Sequence, residues 1–276
     1  PLLMGKFGNY YRKVNMAWFW ARFKTRTTRL GTFEGGFQNF IDQFALALKK
    51  QKVRVELNTA VKSIHLIQNG LLRLTTASGS AEEFDQVLVT TSPASLVKIA
   101  PELNEAYLEK LKKLKSIGAQ VLILSLKQPL STQGYYWFNL PKSAGFPFLA
   151  LVEHTNFVPT EYFNGEHIIY CGDYLDPDHP NFKLSQEQLA SLYLPSLKRI
   201  NPDFEPNWVQ ESWLVRDEYA QPVPFVNHSA HLPEIRTPIP NLYFASMSQI
   251  YPWDRGTNFA VQQAHQAVKL MENSTK

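Results

Sequence analysis

The stretch "NLYFASMSQIYPWDRGTNFAVQQAHQAVKLM", Asn241 to Met271, sets a short apolar strand before a turn-rich loop with Pro252 and Gly256, and then an amphipathic helix. The first N–H groups of a helix lack intrahelical partners and carry partial positive charge, so this order suits a helix N-terminus aimed at a polar or anionic ligand. Other constellations carry less. There is no GxSxG, HExxH or GxxxxGK[ST], and the seven histidines show no metal-ligand spacing. "DPDHP", Asp176 to Pro180, sets two carboxylates beside His179, but its prolines make it a solvent-facing loop and no metal site is expected. His65 and His265 read as structural or surface histidines. The sequons Asn227-His228-Ser229 and Asn273-Ser274-Thr275 mean nothing unless the chain is secreted. No catalytic acid, base or nucleophile is assigned.

The elements that would position such a helix follow from periodicity. "LGTFEGGFQNFIDQFALALKKQ" is a Gly35-Gly36 turn and a helix with Phe37, Phe40, Ile41, Phe44 and Leu48 on one face. "KVRVEL" and "AVKSIHLIQNGLLRLTTASGSAEEFDQVLVTTSP" alternate as strands, with turns at Asn69-Gly70 and Ser78-Gly79, and Pro93 opens a helix. Then come the helix "NEAYLEKLKKLKSI", the strands "AQVLILSLKQPL", "GYYWFNL", "FPFLALVEHTNF" and "HIIYCGDYL", and the helix "SQEQLASLYLPSLKRI" with a capping box at Ser185 and Gln188. The strand "NWVQESWLVRDEYAQPV" closes this region. The expected fold is α+β: residues 102–227 form an inserted domain of mixed or antiparallel sheet with helices on one side, and residues 1–101 join 228–276.

Composition bounds the function. At 276 residues, 44% of them hydrophobic and 19% charged, the chain can bury a sizeable core. No apolar run reaches the roughly 20 residues of a membrane span, and there is no signal-peptide pattern, so a cytoplasmic location is expected. The single Cys171 excludes an internal disulfide and reads as buried packing. A net charge of +4 is too small to argue for nucleic acid without a concentrated patch. One patch exists: "YYRKVNMAWFWARFKTRTTRL", with Arg12, Lys13, Arg22, Lys24, Arg26 and Arg29 and no acid until Glu34. Helical spacing favours Met16, Trp18, Phe19 and Phe23 packing inward, with the cations facing water or a phosphate-bearing cofactor. The alternative seats the segment on anionic lipid or stacks it on nucleobases.

Three segments in order, "EGGFQNFIDQFALALKKQKVRVELNTAVKSI", "FDQVLVTTSP" and the closing stretch, resemble the FAD-dependent oxidoreductase superfamily of flavin-containing amine oxidases, protoporphyrinogen oxidases and phytoene desaturases. The resemblance implies FAD as cofactor. It places Gly35 and Gly36 in a diglycine loop near the flavin, Val61 at a strand end on the adenine side, and Thr90 and Thr91 under the dinucleotide. Ser246 and Met247 follow the "LYFAS" strand, where the family has "LYFAG" and then an acidic residue on the ribityl chain. The resemblance further implies that the loop runs past Trp253 and that the N–H groups of Thr257, Asn258 and Phe259 face the flavin ring carbonyl.

The departures shape the expected reaction. Met247 replaces the acidic residue, Gly256 stands where amine oxidases carry a cage tyrosine, and Val121 stands where they carry a lysine. These losses argue against simple amine oxidation and leave hydride removal from carbon of an apolar or aromatic substrate, as in the desaturase and porphyrinogen branches. Tyr135, Tyr136, Trp137, Tyr219 and Trp253 are the candidate substrate walls. The family's N-terminal GxGxxG is absent, and the chain starts at Pro1. The expectation is therefore a C-terminal part, inactive alone and binding FAD weakly or not at all, whose partner is the missing Rossmann segment of its own chain. Two rivals remain: a flavin-dependent sugar mutase, which needs arginines for a nucleotide diphosphate, and a non-catalytic module docking on a membrane or partner through the basic aromatic segment.

Overall fold

The computed structural model describes residues 2–27 and 29–274; Pro1 and Thr275, the end of the second sequon, lie outside the described residues. In chain order come α1 (Leu2–Phe7), α2 (Met16–Lys24), α3 (Gly36–Lys50), β1 (Val61–Leu66), β2 (Leu72–Thr76), β3 (Ala81–Phe84), β4 (Val87–Val89), α4 (Pro93–Ile99) and α5 (Glu105–Lys112). Then follow β5 (Ser116–Leu126), β6 (Trp137–Asn139), β7 (Ala150–Glu153), β8 (His167–Leu175), α6 (Gln186–Leu197), β9 (Val209–Pro222), α7 (His228–His231), β10 (Leu242–Phe244) and α8 (Thr257–Glu272). The fold is α+β, as expected, and divides into two compact units. Residues 2–14 go with Ser116–Val223, and residues 15–115 with 224–274. These boundaries differ from the sequence-based ones at both ends. α1 packs on β8, where Lys6 lies 5.7 Å over the Tyr174 ring, and α5 is held in the other unit by the Tyr107 hydroxyl donating to the Glu234 carbonyl at 2.7 Å.

The first unit is built on a five-stranded antiparallel sheet in the order β6-β7-β8-β5-β9. Side chains alternate across a strand, so Leu122, Leu124 and Leu126 of β5, Leu151 of β7 and Ile169 and Cys171 of β8 share one face. That face packs under α6 through Leu189, Tyr193 and Leu197, all fully buried. Each such side chain contributes about 1.5–3 kcal/mol. α6 begins at the expected capping box: Ser185 Oγ accepts from Gln188 N at 3.2 Å, and Gln188 Oε1 accepts from Ser185 N at 2.9 Å. Under the end of the sheet the fully buried Glu153 carboxylate accepts the Leu130 and Ser131 N–H groups, both at 2.7 Å, pinning the turn after β5. Cys171 is buried, and burial pushes its thiol pKa up.

The second unit has its own core, in which Ile64, Leu72, Val89, Leu96, Leu103, Leu242 and Phe244 meet. β1, β2 and β3 form the antiparallel meander, and the Asn69-Gly70 turn has positive φ at both residues, 65° and 76°, as a tight turn of that composition requires. β4 pairs in parallel with β10. Ser92 caps α4, and Asn104 caps α5.

Three local expectations change. "KVRVEL" is extended but not a strand: Val53, Val55 and Leu57 are exposed, and among the described residues no strand pairs with them. The helix expected to reach Ile117 stops at Lys112, because Ser116 and Ile117 pair with Pro222 and Gln221 of β9. In α2 only Trp18 and Ala21 turn inward, whereas Met16 and Phe23 are 72% and 52% exposed. Asn15 sets that rotation. Its Oδ1 caps the helix at Trp18 N, while its Nδ2 donates to the Pro224 and Phe225 carbonyls at 3.0 and 2.9 Å.

Candidate functional site

In the second unit, β4 and β10 run side by side in the register Val89 to Phe244, and Ala245 N continues the ladder to the Val89 carbonyl at 3.0 Å. Thr90 and Thr91 therefore leave the carboxyl end of one parallel strand, and Ser246 and Met247 the carboxyl end of its neighbour. Loops at that end of parallel strands are where α/β sheets receive ligands. Thr90 and Thr91 are exposed, Met247 is half-buried and Ser246 is buried.

Two glutamines that the sequence reading passed over fix this corner. Gln249 Oε1 accepts from Ser246 N at 2.7 Å, and its Nε2 donates to the Phe244 and Pro233 carbonyls, both at 3.1 Å. Gln263 of α8 donates to the Ser246 carbonyl at 3.0 Å, so the strand-end turn is bonded directly to the last helix. The signal was present in the sequence. "SMSQ", Ser246 to Gln249, has capping-box spacing, and the structure forms that box.

The loop into α8 is held from several sides. Asp254, largely buried, pairs with Arg22 of α2 at 3.3 Å. Buried His228 lies 5.2 Å from the Tyr251 ring, and burial holds its pKa below the ordinary value. The Tyr251-Pro252 peptide is cis. α8 then starts from an extended Gly256 that offers no side-chain cap, and its first helical bond is Ala260 N to the Gly256 carbonyl at 3.0 Å. The N–H groups of Thr257, Asn258 and Phe259 head this helix, with Thr257 and Asn258 exposed. The Trp253 ring, half-buried, stacks in parallel on Phe259, centroids 5.8 Å apart.

Thr90, Thr91, Ser246 and Met247 thus stand at the β4–β10 ends, Gln263 ties that corner to α8, and Trp253 stacks on Phe259 in the first turn of the same helix. Val61 begins β1 in the separate meander. Gly35 and Gly36 open α3 with φ of +74° and +77°, values that favour glycine, and a Cβ on Gly36 would meet no atom within 4 Å.

In the first unit, the sheet face opposite α6 carries the other candidates. Pairing defines one continuous cross-strand row: Trp137 to Val152, Val152 to Tyr170, Tyr170 to Ile123, and Ile123 to Trp213. The next row on the same face is Asn139, Ala150, Gly172, Val121 and Val215. Trp137 and Trp213, on the two edge strands, are 52% and 43% exposed, and the small Ala150 and Gly172 leave a shallow floor between rims. Tyr135 lies edge-on to Phe138 at 5.9 Å, and Tyr136 packs on Phe157 at 5.3 Å. Tyr219 is on β9, at the opposite edge of the sheet from Trp137 and further along the strand, so those two do not share one patch. Trp213, Tyr170 and Ile123, absent from the sequence-based set, do share the patch with Trp137. Only strand register reveals them.

Against known proteins, the model of the flavin-containing amine oxidoreductase family matches residues 4–271. The chain belongs to this family. Two solved structures resemble the flavin-containing amine oxidoreductase chain. One, from Exiguobacterium sp. 255-15, is named as a candidate protoporphyrinogen oxidase; it is 17% identical with a TM-score of 0.65 over 91% of this chain and 53% of its own. The other is an oxidoreductase from Methanosarcina mazei, 20% identical, with a TM-score of 0.63 over 87% of this chain and 55% of its own. Both likenesses concern the fold, and the chain spans about half the length of each. No curated protein sequence matches.

Family membership implies a flavin. The residues present offer one an uncapped helix start, on a helix that Gln263 bonds to the turn leaving a parallel strand end. They hold no GxGxxG to receive a pyrophosphate. Among the described residues no helix is long and apolar enough to cross a membrane, and no cluster of His, Cys, Asp and Glu could hold a metal ion.

Proposed function

We propose that this chain is the flavin-facing and substrate-binding part of an FAD-dependent oxidoreductase that removes hydride from carbon of an apolar or aromatic substrate. The observation that carries the reading is the cross-strand row Trp137, Val152, Tyr170, Ile123 and Trp213, whose edge tryptophans are exposed, whose three central side chains are half-buried, and which holds no charged residue. A flavin, when bound, supplies the hydride acceptor. The chain's own task is then to bind the flat substrate, orient its reacting carbon and exclude water. The N–H groups of Thr257, Asn258 and Phe259 offer hydrogen bonds to a ring carbonyl that gains negative charge. As the new double bond forms, the neighbouring atom gives up a proton, which passes to solvent water because no side-chain base is assigned.

Val121 lies in the second row of the open face, where an amine oxidase would place its lysine, which favours carbon over amine substrates. The sugar-mutase alternative loses support from its arginines. Arg216 donates to Gln120 on the α6 side of the sheet, and Arg199 binds the Ala144 and Gly145 carbonyls and stacks 3.9 Å over Phe146. A dinucleotide-binding segment outside these residues would complete the cofactor site. The exposed apolar side chains of α3 (Phe37, Ile41 and Phe44) and of α8 (Val261 and Val268), together with the exposed Val53, Val55 and Leu57, are surfaces such a segment could cover.

The test is anaerobic mixing of the flavoprotein containing this chain with apolar cyclic or polyene hydride donors and, separately, with primary amines, followed by flavin absorbance. Bleaching by the former, with KM raised about tenfold or more by Trp213→Ala, is the expected outcome. Bleaching by amines alone, or a Trp213→Ala enzyme with unchanged KM, rejects the assignment.

A further inference from the structure

We infer that α2 and the segment after it form a docking surface for an anionic lipid bilayer. Met16, Trp20 and Phe23 are spaced by four and three residues and so lie on one helix face, opposite the buried Trp18 and Ala21. They are 72%, 56% and 52% exposed, and Leu30 beyond the helix is 64% exposed. A stripe holding Trp and Phe that points into water loses about 1.5–3 kcal/mol per large side chain relative to burial, so it marks a contact surface.

The charge on this segment selects the occupant. Between Met16 and Leu30 stand Arg22, Lys24, Arg26 and Arg29 and no acidic residue. Arg22 is partly committed to Asp254. The side chains of Lys24, Arg26 and Arg29 are exposed. Apolar side chains on one face with cations alongside are the pattern by which an amphipathic segment sits at the headgroup boundary, its Trp at the interface and its cations among anionic headgroups. A second copy of this chain would bring the same positive charge against itself, which disfavours a dimer through this face. The exposure also inverts the inward packing expected from helical spacing. Asn15 fixes the rotation from inside the unit, so the outward stripe is held in place by the fold.

The experiment is flotation of the full chain with phosphatidylcholine vesicles that contain or lack phosphatidylglycerol, over a range of salt. The chain should float with the anionic vesicles, less so as salt rises. Replacing Lys24, Arg26 and Arg29 with Gln should lower partitioning about fivefold per cation. Trp20→Ser with Phe23→Ser should lower it more than tenfold, with an unchanged melting temperature, since both side chains are more than half exposed. Three results would each overturn the inference. The parent chain fails to float with anionic vesicles; the double variant floats like the parent; or the double variant melts earlier or dissolves a dimer seen by sedimentation, which would assign the stripe to the protein's own packing or to a second copy.

Discussion

Gln249 offers the sharpest test of how the corner beside α8 is held. Replacing it with Ala removes the acceptor that lies 2.7 Å from the Ser246 N–H, a group on a residue 3% exposed, together with the donors to the Phe244 and Pro233 carbonyls. A buried N–H left without an acceptor costs about 1–3 kcal/mol, and each lost neutral hydrogen bond about 0.5–1.5 kcal/mol. Water reaching the vacated space recovers part of this, so the expected loss is about 2–4 kcal/mol. At about 2–4 °C per kcal/mol for a domain of this size, Gln249→Ala should melt about 5–15 °C below the parent. Gln249→Glu is the informative partner. It keeps an acceptor for Ser246 but turns a carboxylate oxygen toward two carbonyls, and it should be no more stable than the Ala variant. Gln262→Ala, at an exposed position of α8, should stay within about 0.5 kcal/mol of the parent. Calorimetry of the purified chain reads all three. A Gln249→Ala protein melting within about 1 °C of the parent would refute the idea that this side chain holds the turn. In the flavoprotein the same variant should also bind flavin more weakly, because the turn and α8 are bonded through Gln263.

Three further outcomes follow from the sheet unit. Glu153→Gln presents an amide NH₂ to one of the two N–H groups that the carboxylate now accepts, so one buried donor goes unmet and urea unfolding should show a loss of about 1–3 kcal/mol. Gly118→Ala would place a Cβ 3.0 Å from the Asp217 carbonyl oxygen and 2.9 Å from the Phe182 ring; backbone cannot yield cheaply, so the variant should lose about 1–3 kcal/mol in the same assay. Asp173 has its pKa pushed up to about 6 by burial, against the opposing Lys142 charge and the Tyr174 N–H. The folded state therefore holds the proton more tightly than the unfolded one, so stability is greatest below the ordinary value of 3.8 and falls as pH rises through about 6, by at most about 3 kcal/mol. Urea midpoints measured from pH 4 to pH 7 should show this fall in the parent and lack it in Asp173→Asn; equal slopes would reject it.

Much of the fold was legible because its elements carry local signals. "HIIYCGDYL" is β8 from end to end, the Ser185 capping box starts α6, and the Asn69-Gly70 turn joins the meander where expected. What failed to show depends on partners distant in sequence. "KVRVEL" alternates like a strand, but alternation only prepares a strand to pair, and the described residues supply no neighbour. In α2 the apolar residues surround more of the helix than one face, so spacing alone could not choose between Trp18 with Ala21 and Met16 with Phe23; Asn15, bonding 209 and 210 residues away, makes the choice. The site divides likewise. The carboxyl ends of β4 and β10 and the head of α8 were read from motifs, whereas the Trp137 to Trp213 row needs the register of five strands.

That row bears on the proposal that this face is a binding floor and not an unfinished core. An apolar sheet face left in water invites edge-to-edge pairing unless its edges are blunted. Here one edge strand, β6, is three residues long, and the other, β9, flanks the apolar rows with Glu211 and Asp217, which face the same side as Trp213 and Val215. Charge therefore stands at the ends of the patch and not within it. A core-forming face has the reverse requirement, large side chains at the centre, as the α6 side shows with Leu122, Leu124, Ile169 and Cys171. On the other side Gly172, Ala150 and Ala119 interrupt the larger Tyr170, Ile123 and Val121 and leave a local hollow, with α1 packed at the Tyr174 end. Filling that hollow from within tests the distinction: Gly172→Val adds volume where the nearest atoms to a new Cβ are at 3.6 Å and 4.0 Å, so it should leave folding nearly intact while raising KM for any flat substrate of the flavoprotein about tenfold or more. A variant that misfolds would show the hollow to be core; one with unchanged KM would show that the substrate lies elsewhere.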